Sequence, residues 1–237
     1  MNPASCRFSP LGDCAVLIEF SESSIAQTNE QAHALRAHLQ DHPVSGVTDL
    51  VAAYTTLAVH YDPLQVLTET SPGGSPFALM VTRLRAALSS IGSRPPKPGR
   101  GVEIPVCYGG ECGEDLDALA RAHSVTATQV IELHCAPEYR VLMLGFAPGF
   151  AYLGGLDARL VAPRRAAPRT KVPAGSVGIG GEQTGVYPVE SPGGWNLIGR
   201  TPLKMFDATR TPPCLLSPGD RVKFVSITRA QFDSWQE

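Results

Sequence analysis

The side chains best suited to chemistry crowd into one stretch, Gly145 to Phe206. Five cations, Arg159, Arg164, Arg165, Arg169 and Lys171, fall within 13 residues there, with one acid, Asp157, just before them. Guanidinium groups grip carboxylate or phosphate in bidentate fashion, each charged hydrogen bond contributing roughly 1.5–3 kcal/mol. Prolines 163 and 168 flank the arginines and reduce the disorder that binding would otherwise remove. A second segment, Gln183 to Trp195, offers an amide (Gln183), a phenol (Tyr187), a hydroxyl (Ser191) and a flat ring (Trp195). Gly193 and Gly194 within it could leave backbone N–H groups facing an anion. His134, at the end of a helix just before this stretch, is a third candidate. Glycine fills 12 of the 56 positions from Gly145 to Arg200. Such backbone approaches a ligand closely or turns through φ > 0. It equally serves tight turns in a β-barrel, with Phe146, Phe150 and Tyr152 in the barrel core or at an interface.

The elements that must position these groups divide at Arg94–Gly101, where three prolines and two glycines predict a semi-rigid linker. Before it, residues 1–93 read as strand (Ala15–Phe20), helix (Ser24 to about Gln40, with Ile25, Ala32, Leu35 and Leu39 on one face), strand, strand and helix. The two strands, Val47–Tyr54 and Leu57–Tyr61, suggest a hairpin turning at Thr55–Thr56. A loop from Pro63 to Ser75 leads to the second helix, with Met80, Leu84, Ala87, Leu88 and Ile91 in register. This order suits a ferredoxin-like α+β layer if a closing strand exists. After the linker, residues 102–237 begin with a strand, Val102–Tyr108, whose pairing could lie with either domain. A helix over Glu114–His123 carries acids in its first turn, favourable to the helix dipole. Thr126 and Gln129 have the spacing of a capping box, and Arg140–Leu144 is a buried strand. Short β runs at Lys171–Val172, Ser176–Ile179, Thr184–Val189, Trp195–Arg200 and Val222–Ile227 then predict an all-β sandwich or barrel.

Bulk properties narrow the function. A net charge of −2 gives no general reason to bind nucleic acid or a membrane surface. No basic, apolar and small-residue succession marks an export signal, and no apolar run approaches the roughly 20 residues that span a bilayer. The six cysteines form no CxxC pair, so free thiols in a cytoplasmic protein are expected, with no protein-bound metal. The chain has no GxxxxGK[ST], no GxSxG and no HExxH, and Gly178–Gln183 fails GxGxxG at its last position. A self-contained P-loop ATPase or hydrolase is not expected.

The string LGFAPGFAYLGG, followed by PRR, PR, KVPAGSVGI, QTG, YP, ESPGGW and LIGRTPLK, resembles the allophanate hydrolase subunit 1 family. YTTLAVHYDP and IPVCYGGE extend the likeness over most of the chain. Ala151 departs from the proline common at that position. The family includes the B-type subunit of the prokaryotic ATP-dependent 5-oxoprolinase and a Kip-type inhibitor of a sporulation histidine kinase, and it resembles a region of urea carboxylase. The resemblance implies an N-terminal ferredoxin-like domain and a C-terminal cyclophilin-like β-barrel. It implies a C-type partner (allophanate hydrolase subunit 2 family) sharing the pocket, with ATP and Mg²⁺ held between the two. In that reading the pair phosphorylates 5-oxo-L-proline, and a third, A-type protein opens the ring to L-glutamate. Carried onto this chain, Arg165, Arg169 and Lys171 would clamp the anion. Gln183, Tyr187 and Ser191 would position the substrate, Trp195 would wall the pocket, and His134 would join Arg169 and Lys171 as a catalytic candidate. Kinase inhibition and a part in urea or allophanate metabolism are the alternatives.

Overall fold

A computed structural model describes residues 6–21, 24–68, 74–90 and 99–236. The chain divides into two compact units, Met1–Lys97 and Pro98–Glu237. Ile91 of the expected second helix and residues 94–98 of the expected linker lie outside the described residues. Gly101 already belongs to a strand of the second unit, and Arg100 is tied to it by an ion pair with Asp220 at 2.6 Å.

In the first unit, strands β1 (Cys6–Pro10), β2 (Ala15–Phe20), β3 (Val47–Ala53) and β4 (Thr56–Tyr61) form an antiparallel sheet in the order β1-β2-β4-β3. The closing strand that the ferredoxin-like pattern needed is β1, which precedes the rest of the motif. Helices α1 (Ile25–Asp41) and α3 (Pro76–Ser90) pack through Ala32, Leu35, Leu39, Met80, Leu84 and Leu88 onto Val16, Ile18, Leu57 and Val59. Ile25 is exposed rather than inward. Thr28 and Asn29 take the inward places, and Asn29 donates to the Tyr54 carbonyl at 2.8 Å, where the chain turns through φ 48°. The hairpin therefore turns at Tyr54–Thr55, one residue earlier than expected. The Pro63–Ser75 loop also needs correcting. Asp62 accepts from the N–H groups of Leu64 and Gln65 and, with Pro63 next, starts a short helix α2 (Pro63–Thr68).

The second unit is a closed barrel. It is built from β5 (Gly101–Tyr108), β6 (Tyr139–Leu144), β7 (Ala151–Gly154), β9 (Ser176–Gly180), β10 (Gln183–Val186), β12 (Asn196–Arg200) and β13 (Arg221–Ile227). The order around it is β10-β7-β6-β13-β5-β12-β9. β5 pairs in parallel with β13, from Gly101↔Arg221 to Cys107↔Ile227, which settles its membership. A separate two-stranded ribbon joins β8 (Arg169–Val172) to β11 (Ser191–Gly193). Helices α4 (Leu116–Ala122), α5 (Ala127–Cys135) and the short α6 (Arg229–Asp233) complete the unit. The capping box at Thr126 and Gln129 is present as expected.

The unit holds two apolar clusters. Val177, Ile179, Val186, Ile198 and Phe224 point into the barrel. On the outer wall Phe150, Val172, Tyr187, Trp195 and Leu197 form a second cluster, drawn from the ribbon strand β8, from β12 and from residues flanking β7, β10 and β12. Among the described residues, no helix is long and apolar enough to cross a membrane.

Candidate functional site

The outer cluster and the β8–β11 ribbon hold most of the residues singled out in the sequence. Trp195 lies flat on three glycines of β9 and β10. A Cβ at Gly180 would stand 2.5 Å from the indole ring, and one at Gly178 or Gly185 would stand 3.1 Å from Trp195. Gly193 likewise makes room for the Tyr187 hydroxyl. The glycines thus admit the chain's own aromatic rings. Phe150 packs edge-on against Tyr152, Tyr187 and Trp195, with centroids 4.8, 5.3 and 5.4 Å apart. Gln183 shares the outward face of β10 with Gly185, since residues two apart point the same way, and Tyr187 follows the strand's last residue.

The ribbon contains a register shift. Ser191 stands opposite Val172 and Gly193 opposite Arg169, so β8 carries one more residue than β11 between the pairs. Simple alternation from Val172 would turn Thr170 inward and Arg169 outward. The bulge instead leaves Thr170 and Lys171 both outward and brings Arg169 to the inner face. Their exposures follow: the Arg169 side chain is 18% accessible and Lys171 is 77% accessible, with Lys171 paired to Glu190 at 3.2 Å. Arg169 and Lys171, expected to clamp the same anion, thus stand on opposite faces of the ribbon.

Arg169 and Arg165 already hold an anion, and it belongs to the chain. Arg169 Nη2 and Arg165 Nη1 donate to Asp115 Oδ1 at 2.9 and 2.8 Å, and the Leu197 N–H donates to Oδ2 at 2.7 Å. Glu114 adds a longer contact to Arg169 at 3.3 Å. Burial alone would raise the Asp115 pKa. The Arg169 hydrogen bond, the Leu197 N–H and the two positive charges outweigh it, and the carboxyl titrates below its ordinary value. An acid expected to serve as a favourable helix-end charge is therefore the hub joining α4 to β12 and the arginine loop. No local signal exposes it, because Arg169 lies 54 residues away in sequence.

Three donors nevertheless remain on the inner face. Arg169 Nη1 and Ser191 Oγ are buried without a hydrogen-bond partner. Tyr187 accepts from the Trp195 backbone N–H, which leaves its own O–H able to donate. Burial raises its pKa while Arg164 opposes that shift. Arg159 is held by Asp157 at 2.7 Å, whereas Arg164 is exposed with no acidic partner among the described residues. Gly193 and Gly194 do not take the left-handed backbone of an anion-binding nest, and the Gly194 carbonyl accepts from Arg165 N–H instead.

Phe146, Phe150 and Tyr152, expected in the barrel core or at an interface, all lie outside the inner core, and the geometry of Phe146 is unusual. It adopts φ 71°, and the Ala147 N–H donates to the Gly145 carbonyl at 2.9 Å across it. That is the rarer, positive-φ form of the γ-turn, strained for a bulky residue. The ring is 62% exposed, yet it packs edge-on to Phe150 and Tyr187 at 5.4 and 6.4 Å.

His134 needs a correction. It is 0% exposed inside the barrel. Thr184 Oγ1 donates to the Gly178 carbonyl and so accepts from His134 Nε2–H at 2.9 Å. Nδ1 then accepts from the Tyr108 hydroxyl at 2.7 Å. Burial drives the imidazole pKa down to about 3, so the ring is neutral. A neutral, enclosed ring with both nitrogens engaged reaches no substrate. It pins together β5 and β10, which are not neighbours around the barrel.

Residues 6–216 match the family described as carboxyltransferase domain, subdomain C and D. The chain belongs to that family. Within it, the B-type subunit of 5-oxoprolinase from Bacillus subtilis (strain 168) is 45% identical over 96% of this chain and 95% of its own length. The Haemophilus influenzae protein of the same name is 41% identical over 91% and 95%. These agree with the likeness carried by the motif string. Among solved structures, PH0987 from Pyrococcus horikoshii, titled a conserved uncharacterized protein, is 42% identical, with a TM-score of 0.55 over 95% of this chain and 100% of that one. TTHA0988 is 37% identical with a TM-score of 0.75, and this carboxyltransferase-family chain covers 40% of that longer polypeptide.

Proposed function

We propose that this chain is the B-type subunit of an ATP-dependent 5-oxoprolinase. With a C-type partner it would activate the amide carbonyl of 5-oxo-L-proline by phosphorylation, and the A-type protein would open the ring to L-glutamate. The near-full-length match to proteins named as this 5-oxoprolinase subunit supports the reading.

This chain's own contribution would be to hold the substrate. 5-Oxoproline is a compact lactam bearing one carboxylate. Arg169 Nη1, Ser191 Oγ and the Tyr187 hydroxyl are three donors on one face, and a set of donors selects an anion. Arg165 orients Asp115, which in turn fixes Arg169. Trp195 forms the back wall, Gln183 is the amide that would meet the lactam, and rotation of Phe146 away from Tyr187 would open the face. His134 stays outside this assignment.

ATP would supply the phosphoryl group when bound. The residues present do not by themselves fit magnesium nucleotide. Both Asp115 oxygens are engaged, and among the described residues no group of three or more His, Cys, Asp or Glu could hold a metal. The nucleotide and its metal would then need the partner to complete the shared pocket.

The test is reconstitution. The chain, a C-type partner and an A-type protein are mixed with ATP, Mg²⁺ and 5-oxo-L-proline, and glutamate is measured beside parallel reactions with urea and allophanate. Glutamate formation that requires all three proteins is expected. No turnover of 5-oxoproline with every component folded and present would refute the proposal.

A further inference from the structure

Arg200, the last residue of β12, is held unusually firmly for a surface arginine. Its stem lies over Gly175, where a Cβ would stand 3.5 Å from Arg200 Cγ and would collide with the Thr201 carbonyl. Gly175 takes φ 82°, which no branched residue could replace without strain. Arg200 Nε donates to the Ala174 carbonyl at 2.8 Å. The turn that follows is fixed by Thr201 Oγ1, which accepts from the Leu203 N–H at 3.2 Å. With Nε engaged and the stem seated, the Nη1 and Nη2 end of the guanidinium meets no protein acceptor among the described residues.

Arg200 borders a cleft of about 360 Å³, lined also by Pro188, Pro202, Leu203, Lys204 and Phe232. The volume lies in the lower range of small-molecule sites, and most of the wall is apolar. Lys204 is also positive, but its Nζ is engaged by Asp207 at 3.1 Å, so the uncompensated charge is that of Arg200 alone.

We propose that this cleft binds a small monocarboxylate with a compact apolar or ring-shaped body. A fork fixed through Nε presents two parallel N–H donors that match the two oxygens of one planar carboxylate. A single net positive charge favours a monoanion over a phosphate dianion, which would keep an unbalanced charge against an apolar wall. The prolines, Leu203 and Phe232 receive the body of the ligand. The inference needs neither partner nor nucleotide and does not depend on the 5-oxoprolinase reading.

Cyclopentanecarboxylate is the probe, titrated into the full chain by calorimetry and followed by amide NMR. Saturable binding at this cleft is expected, read from shifts at Ala174, Gly175, Thr201 and Leu203. Arg200→Gln should weaken it by at least about tenfold, and Arg169→Gln should change it by less than about twofold. Cyclopentanecarboxamide and inorganic phosphate should each bind at least about tenfold more weakly. The absence of saturable binding, binding indifferent to Arg200→Gln, or an equal preference for phosphate would overturn the proposal. Should Arg200→Gln not fold, the shift map of the unaltered protein decides, and shifts centred elsewhere reject the site.

Discussion

Lowering the pH from 8 to 5 should cost the second unit about 2 kcal/mol through His134 alone. The ring titrates near its ordinary 6.5 in the unfolded chain and at about 3 inside the barrel. Between those values the unfolded chain binds a proton that the native one refuses, so stability rises with pH across the window. The contribution is complete above about pH 6.5 and is lost towards pH 3, at up to about 1.4 kcal/mol per pH unit. At pH 5 the loss is RT ln(1 + 10^1.5), about 2 kcal/mol, a large share of a typical stability of about 5–15 kcal/mol. His134→Gln removes the titration along with one of the two hydrogen bonds. The variant should be about 1–3 kcal/mol less stable than the parent at pH 8 and close to it at pH 5. Urea unfolding followed by tryptophan fluorescence measures this cleanly. The two tryptophans, Trp195 and Trp235, both lie in the second unit, and carboxylates common to both proteins cancel in the comparison. A parent–variant difference constant from pH 8 to pH 5 would refute the reasoning, as would a native His134 resonance titrating near 6.5.

Three further outcomes can be checked alongside. Asp115→Asn leaves Arg165 and Arg169 without their shared counter-charge and should cost about 3 kcal/mol in urea unfolding. Because the native Asp115 pKa is depressed, the stability it provides is present above the ordinary carboxylate value and is lost as pH falls below it. Phe146→Gly relieves a left-handed backbone worth about 1–3 kcal/mol and should hold or raise stability, while glutamate formation by the reconstituted complex falls; a parallel fall in both would mark Phe146 as merely structural. Gly180→Ala drives a methyl group into the Trp195 ring, and should cost about 1–3 kcal/mol and shift the fluorescence maximum.

Legibility in the sequence tracks how local each feature is. The Met80, Leu84, Leu88 stripe of α3 and the Thr126–Gln129 capping box are written within a few residues, and both form as expected. β1, β7 and β11 are hidden because strands of three to five residues rich in glycine, serine or proline carry too few alternations to show a period. α2 is legible in principle, since Asp62-Pro63 is a helix-start signal, but the following prolines and glycines mask it. At the site, arginine type and number are plain, while their partner is not. Asp115 reaches them only through the fold, and the bulge that separates Arg169 from Lys171 is a property of pairing rather than of either strand. The glycine excess is real, but its beneficiaries are Trp195 and Tyr187, residues of the chain itself.

The pairing of β5 with β13 has a consequence for how the protein is made. Gly101 finds its neighbour in Arg221, so the barrel cannot close until nearly all of it has left the ribosome. Until then β5 and β6, the two strands that flank β13, each present an open edge, the kind of template on which nascent chains associate wrongly. The first unit has no such dependence, because its strands β1 to β4 and helices α1 to α3 are in place by Ser90. Synthesis therefore delivers a finished amino-terminal unit joined to a barrel still waiting for its last strand, and any nonsense or frameshift change before Arg221 leaves that barrel permanently unsealed.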